Sequence, residues 1–257
     1  MNSASGHGNP RVITGAQYVQ QITALESDRR ARSAFQNLVL SLAPRGGALF
    51  DFGSGTGMDA RFYAARGFTV AAYDSDPRMC EFFAEHCRDL IDAGRVTLER
   101  GDYRDFLARA SAHSIDLITS NFAPLNLIDD LQAVFAKFHM LTAPGGRVLT
   151  SVLSPYFIGD MKYGWWWRNS LRLRREGHFS VPGAQAPIVR RLIGNFAARS
   201  APYFTLKRVF RGLPTARNPD VAGFDAGQGG RALCAGLRLS TCQFMFLLFE
   251  KDPSPER

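Results

Sequence analysis

Asp51-Phe52-Gly53-Ser54-Gly55-Thr56-Gly57 decides how the rest of the chain is read. It closes a short apolar strand, Ala48 to Phe52, that leaves the turn Pro44-Arg45-Gly46-Gly47. Glycines at 53, 55 and 57 permit a tight turn and let backbone N–H groups approach a ligand unobstructed. A helix expected from Asp59 to about Arg66 aims its positive N-terminal end at the same place. A plain structural turn has the same appearance, so this stretch alone leaves both readings open. The dinucleotide-binding fingerprint Gly-x-Gly-x-x-Gly needs glycine at position 58, where Met58 stands.

Outward from that loop the chain alternates. Gly67 stops the helix, as expected just past a C-terminus, and Phe68 to Tyr73 is a second strand ending at Asp74-Ser75-Asp76. Pro77 opens a helix at its first turn. Strands follow at Val96–Glu99 and Ile115–Ser120, with helices at Tyr103–Ala110 and Ile128–Leu141. Pro144-Gly145-Gly146 turns into a fifth strand, Arg147–Leu153. An amphipathic helix from about Thr14 or Ala16 to Leu42 precedes them all. Strands and helices at this spacing predict an α/β fold, a mostly parallel sheet with helices on both faces and a ligand crevice at the strands' carboxyl ends.

The rhythm breaks at residue 155. Residues 155–204 hold tryptophans, arginines, glycines and prolines in no βα order and are expected to form an insertion, a lid on the acceptor side. Late strands are expected at Thr205–Arg211 and Gln243–Lys251, separated by a long loop over Leu213–Gly230. Residues 1–13 read as a disordered leader and 252–257 as a frayed tail, leaving 14–257 as one domain.

Composition narrows the class. The chain has 257 residues, 46% hydrophobic and 21% charged, ordinary for a soluble globular protein. No apolar run approaches the ~20 residues of a membrane-spanning helix, and the N-terminus lacks the features of a signal peptide. The expected location is the cytoplasm. Cys80, Cys87, Cys234 and Cys242 form no ligand spacing with histidine, so no metal is expected. The net charge of +8 is uneven: residues 155–217 hold twelve Lys/Arg against Asp160 and Glu176, and the remaining chain carries a slight acidic excess. An anionic partner there and a merely solvated basic face are both compatible with that asymmetry.

Asp51 to Gly57, Tyr73-Asp74, Gly101-Asp102-Tyr103, Ile115 to Phe122 and Pro144-Gly145-Gly146 fall in the order and spacing of class I S-adenosylmethionine-dependent methyltransferases. The resemblance covers roughly Ala16 to Leu153, and Gln243–Lys251 is similar to that family's final antiparallel strand. It resembles in particular bacterial methyltransferase-domain proteins acting on small molecules, in which Ser120-Asn121-Phe122 and Leu125-Asn126 recur. The resemblance implies a Rossmann-like, mostly parallel seven-stranded sheet with an insertion between strands 5 and 6. It implies S-adenosyl-L-methionine as methyl donor, with S-adenosyl-L-homocysteine as product.

Residue by residue, it implies that Gly53, Ser54, Gly55 and Gly57 pack against the donor, with Asp51 near its amino group. Asp74, with Ser75 beside it, would hold the ribose hydroxyls. Asp102 and Tyr103 would meet the adenine, although Asp102 is also suited to cap the helix that follows. Asn121 and Phe122 would lie beside the sulfonium, Asn121 in the catalytic position, and Tyr18 would close over the donor. A base is required only for a protonated acceptor. Of His113, His139 and His178, the last is best placed. Tyr156, Tyr163, Trp166 and Arg168 would line the acceptor site, which suits an anionic or lipid-like small molecule methylated at O or N in bacterial specialised metabolism.

Two rivals stand beside that reading. The basic aromatic segment 155–217 also suits a nucleic-acid methyltransferase, against which Asn121-Phe122-Ala123-Pro124 departs from the Asn-Pro-Pro-Tyr type of motif. A non-catalytic donor-binding protein is the other. A tryptophan-plus-arginine helix can also lie on an anionic membrane surface, so peripheral membrane contact belongs among the expected partners.

Overall fold

The computed structural model describes residues 25–109, 114–181, 188–211 and 240–251. Within them the chain runs α1 (Glu26–Leu42), β1 (Ala48–Phe52), α2 (Met58–Ala64), β2 (Thr69–Asp74), α3 (Pro77–His86), α4 (Arg88–Asp92) and β3 (Val96–Arg100). Next come α5 (Tyr103–Ala108), β4 (Ile115–Ser120), a 3-10 turn (Pro124–Leu127), α6 (Leu131–Leu141) and β5 (Thr142–Leu153). The insertion holds a second 3-10 turn (Ile158–Lys162), α7 (Gly164–Glu176), β6 (His178–Ser180), β7 (Val189–Arg191) and α8 (Ile193–Ser200). Finally, β8 (Phe204–Arg211) and β9 (Phe244–Lys251) complete the sheet.

The seven-stranded sheet has the order β3-β2-β1-β4-β5-β9-β8. Strands β1 to β5 pair in parallel, and β9 is antiparallel to both β5 and β8. This is the Rossmann-like, mostly parallel seven-stranded sheet that the resemblance implies. Strand order reverses between β1 and β4, which places a crevice at their carboxyl ends.

Because side chains alternate across a strand, each strand serves two cores. In β1, Leu49 joins Phe35, Val39, Tyr63, Phe83 and Phe246 on one face. Phe50 and Phe52 join Phe106, Phe135, Phe138, Phe204 and Phe249 on the other. Strand β9 divides likewise, Phe246 to the first core and Leu247 and Phe249 to the second. On α1 the buried residues Ala31, Ala34, Phe35, Leu38 and Val39 keep three- and four-residue spacing, the stripe of a helix lying on a sheet. Alternation also puts Asp51 on the α1 side, a fact with consequences at the site.

Two sequence expectations need correction. Pro144-Gly145-Gly146 does not precede a strand but lies inside β5, which starts at Thr142 and shifts register between the pairs Ile115–Thr142 and Leu117–Arg147. The insertion is more regular than its composition suggests: two helices flank the antiparallel β6–β7 pair. Tryptophans and arginines disguise the period of α7, because its buried side is narrow (Trp166 and Leu173). The expected leader 1–13, the helix start near residue 14, the loop Leu213–Gly230 and the tail lie outside the described residues.

Side chains that read as surface or motif residues dock this insertion. Asn126 donates from Nδ2 to the Val189 carbonyl (2.7 Å) and accepts at Oδ1 from the Leu153 amide (3.0 Å). Buried Arg191 donates to the carbonyls of Leu125 (3.2 Å) and Ile128 (2.5 Å). Buried Arg190 pairs with Asp160 at 2.5 Å and donates to the Ser154 carbonyl. Two of the twelve cations counted in this region are therefore internal fasteners rather than a solvated face.

Asn126→Ala would leave a buried N–H and a buried carbonyl unpaired. Each costs ~1–3 kcal/mol, so the urea midpoint should fall by an amount worth ~2–6 kcal/mol, with an unchanged denaturant slope.

Candidate functional site

The loop after β1 is shaped by contacts that reject side chains. Gly53 has φ +70°, and a Cβ there would lie 2.6 Å from the Pro124 ring. Gly57 has φ +79°, and a Cβ there would lie 2.7 Å from Phe83 and 2.8 Å from Cys87 Sγ. The amides of Gly53 and Ser54 both donate to the Tyr73 carbonyl, at 2.9 and 3.0 Å, tying the loop to β2. Around Gly55 a Cβ would meet nothing within 4 Å, so this part of the loop borders open space.

Asp74, at the end of β2, fastens the loop. Its Oδ2 accepts from the Gly55 amide (2.7 Å) and its Oδ1 from the Asp76 amide (2.9 Å). A carboxylate has about four lone-pair sites, so both oxygens keep capacity toward the open side. Burial is the largest influence on this carboxyl and raises its pKa. Neighbouring Ser75 is exposed.

Asp51 is buried at the end of β1. Its Oδ1 accepts from Thr119 Oγ1 at 3.0 Å, whereas Oδ2 has no partner. Burial and then the charge of Asp59 push its pKa up to about 7. The Ser54 hydroxyl is likewise buried without a partner. Unpaired buried polar atoms are costly and rare in folded proteins, and two beside one opening mark a place built for a polar ligand.

Asp59, in the first turn of α2, organises the opposite wall. Its Oδ2 accepts from Arg32 (2.5 Å) and from Asn121 Nδ2 (3.0 Å), and its Oδ1 from Gln36 Nε2 (2.7 Å). The Arg32 guanidinium also stands 4.5 Å from the centroid of the Phe122 ring, within cation–π range. Phe122 and Ala123 take φ of +62° and +68°, a conformation that non-glycine residues adopt at a cost. The Phe122 amide secures it by donating to Asn121 Oδ1 (2.9 Å) and Ser151 Oγ (2.7 Å). Arg32, Asp51, Gly53, Ser54, Asp59, Asn121 and Phe122 together line one opening.

Of the expected donor residues, the structure thus brings Asp51, Gly53, Ser54, Asn121 and Phe122 to one place, with Gly55, Gly57 and Asp74 in the adjoining loop. Asp102 is exposed and caps α5 through Oδ1 to the Arg104 amide (2.8 Å). Tyr103 is half-buried, its hydroxyl 3.4 Å from the Asp130 carbonyl. Tyr18 and His113 fall outside the described residues. His139 lies against Tyr203 and Phe204 on α6. His178 is exposed on β6, with Nδ1 3.1 Å from the Glu176 carbonyl, and does not line the opening. Nor do Tyr156, Tyr163, Trp166 and Arg168: Trp166 packs edge-on against Tyr156, while Tyr163 and Arg168 face outward.

Sequence reading missed Arg32, Gln36 and Asp59. A signal existed, for Gln36 is a polar residue embedded in the apolar stripe of α1 and Arg32 lies one turn before it. A polar pair at core-facing positions needs a buried partner. Among the described residues no group of three His, Cys, Asp or Glu side chains could hold a metal ion.

Residues 49–146 match the family described as methyltransferase domain. No curated protein matches the chain. Solved structures share its fold at low identity. A TehB-like SAM-dependent methyltransferase from Corynebacterium glutamicum is 16% identical, with a TM-score of 0.55, covering 93% of this chain and 98% of that one. An S-adenosylmethionine-dependent methyltransferase from Mesorhizobium loti is 18% identical, with a TM-score of 0.54 and coverage of 84% and 97%. Geranyl diphosphate C-methyltransferase from Streptomyces coelicolor, solved with Mg2+, geranyl diphosphate and S-adenosyl-L-homocysteine, is 16% identical, with a TM-score of 0.56 and coverage of 96% and 86%.

Asp59→Asn removes the neighbouring negative charge that helps raise Asp51. Carbon-detected NMR titration should then find the Asp51 carboxyl titrating below the value of about 7 it has beside Asp59. An unmoved midpoint would show burial acting alone.

Proposed function

From the premise that residues 49–146 are a methyltransferase domain, we propose that this protein transfers a methyl group from S-adenosyl-L-methionine to a small-molecule acceptor at oxygen or nitrogen. One observation carries the reading: the unpartnered Asp51 Oδ2 stands beside the unpartnered Ser54 hydroxyl, at the carboxyl end of β1 where strand order reverses.

The residues present fit that donor. Its ammonium and sulfonium groups are cationic, and Asp51, Asp59 and Asp74 surround the loop, with Arg32 the only cation among the described residues that line the opening. Asp51 and Ser54 would receive the amino-acid end. Asp74 would accept the ribose hydroxyls with the lone pairs its two backbone contacts leave free. The open space at Gly55 would admit the ribose, and Tyr103 with Asp102 would border the adenine. When bound, S-adenosylmethionine supplies a methyl group on positively charged sulfur, an electrophile needing little activation.

What remains for the protein is alignment and exclusion of water. Asn121 is held at both ends of its amide, by Asp59 and by the Phe122 backbone. It therefore presents a fixed wall rather than a mobile proton carrier. None of the described residues lining the opening is a histidine, so the proposal gives His178 no part in the proton transfer. The expected place in bacterial specialised metabolism rests on the resemblance around Asn121 and Asn126. A small acceptor is favoured over nucleic acid because Arg190 and Arg191 are consumed inside the fold.

Calorimetry with S-adenosylmethionine tests the donor, and product formation over a panel of small hydroxylated and amino compounds tests the acceptor. The carboxylate form of Asp51 attracts the cation, and that form is complete only above a pKa of about 7. Donor affinity should therefore rise from pH 6 to pH 8 and level off above. Asp51→Asn should flatten the rise, and Asp74→Ala should weaken binding by tenfold or more, which is ~1.4 kcal/mol. Absence of donor binding to the folded wild type would overturn the assignment.

A further inference from the structure

We propose that α7 is a membrane-docking helix that seats the protein on an anionic phospholipid bilayer. This goes beyond methyl transfer and does not depend on it.

All three tryptophans of the chain stand consecutively at the start of this helix. The fold distributes them unequally. Trp166 is buried and anchors the helix with Leu173. Trp165 packs at intermediate depth on Tyr163 and Phe179. Trp167 is 57% exposed and Leu171, one turn further, is 69% exposed. A soluble face at these positions would carry polar residues. Here the apolar pair lies in line along the outward side, since residues four apart share a helix face.

Arginines flank that line. At 100° per residue, Arg174 falls on one side of Trp167 and Leu171, and Arg175, Arg168 and Arg172 on the other. Only Arg172 has an acidic partner, Glu176 at 2.8 Å. No acidic group pairs with Arg168, Arg174 or Arg175 among the described residues. Just before the helix, exposed Tyr163 and Ile158 extend the apolar surface, with the Lys162 ammonium 5.0 Å from the Tyr163 ring centroid. The Trp167 indole N–H donates to the Met161 carbonyl at 2.8 Å, which fixes the ring in its outward position.

The charge pattern selects the occupant. A second copy of the same face would set arginines against arginines. A nucleic acid would satisfy the cations but leave Leu171, the most exposed large apolar residue among the described residues, without a partner. An anionic bilayer supplies both halves at once, headgroup phosphates for the arginines and acyl chains for Trp167 and Leu171. No helix among the described residues is long and apolar enough to cross a membrane, so the contact is with the surface.

Because every tryptophan lies in or beside the contact, emission of the unmodified protein reports on α7. With equimolar phosphatidylcholine–phosphatidylglycerol vesicles we expect co-sedimentation, a blue shift, and quenching by bromine-labelled acyl chains. Binding to pure phosphatidylcholine vesicles should be at least tenfold weaker, and salt should weaken the anionic case. Leu171→Glu, and separately the pair Arg174→Glu and Arg175→Glu, should each lower affinity for the anionic vesicles at least tenfold. Thermal midpoint and donor affinity should stay those of the wild type, since these residues are exposed and outside the donor opening. The proposal is overturned if the folded wild type fails to bind the anionic vesicles, or binds without acyl-chain quenching. It is equally overturned if Leu171→Glu binds like the wild type, if that change instead dissociates an oligomer, or if duplex RNA or DNA competes the protein off the vesicles through the arginines alone.

Discussion

A single buried carboxylate, that of Asp59, ties together three segments of the chain. Arg32 and Gln36 come from α1, Asn121 from the end of β4, and Asp59 itself from the first turn after the glycine loop. Charged hydrogen bonds of this kind are strong when complete and costly when broken. Everything at the opening inherits its position from them. Asn121 is oriented by Asp59, Phe122 by Asn121, and Arg32 closes the circle against the Phe122 ring. The same charge acts through space on Asp51, adding to the larger effect of burial to bring its pKa up to about 7. One wall of the opening is thus rigid and internally neutralised by Arg32, while the other, at Asp51 and Ser54, is left electrically and sterically unfinished.

That asymmetry follows from the period of the strand. Alternation along β1 sends Phe50 and Phe52 into one core and Leu49 and Asp51 toward the other. A carboxylate at the last position of that second face emerges where the core gives way to the crevice. Placed one residue earlier it would enter the apolar Phe106–Phe138 cluster. The backbone of the glycine loop is fixed to β2 through the Tyr73 carbonyl and the Asp74 carboxylate, so Asp51 keeps its position without a partner on Oδ2.

The parts legible in the sequence were those governed by local rules. Strands β1 to β4, the helix starts at Pro77 and Tyr103, and the glycine turn follow from periodicity, capping and φ preferences, whereas the seven-stranded sheet was expected only through the family resemblance. Asp102 shows the limit. A capping contact and a ligand contact require the same residue at the same place, and the structure displays the cap. Arg32 and Gln36 were hidden because their meaning lies in a partner 27 or 23 residues away. The polar pair in the stripe of α1 signals that a buried partner exists, but nothing in α1 identifies that partner as Asp59. The register shift that draws Gly145 and Gly146 into β5 was illegible for a related reason, since Pro-Gly-Gly signals a turn locally and only pairing with β4 and β9 makes it strand.

Residues 155–204 were the least legible, because one composition serves two opposite purposes there. Arg190 and Arg191 lie on β7, point into the fold and spend their donors on backbone carbonyls and Asp160, and burial lowers the pKa of both. Arg168, Arg174 and Arg175 lie on a helix with a two-residue buried side and face outward. Summed charge treats the two sets alike. The structure separates them by secondary structure: both residues of the β7 pair are inside because that strand pairs with β6 and packs against the Pro124–Leu127 turn, whereas a helix whose buried residues are Trp166 and Leu173 must present most of its circumference to whatever surrounds it. An outward circumference that alternates arginine with Trp167 and Leu171 is poorly matched to water alone, and well matched to a boundary where hydrocarbon and anionic oxygen lie side by side.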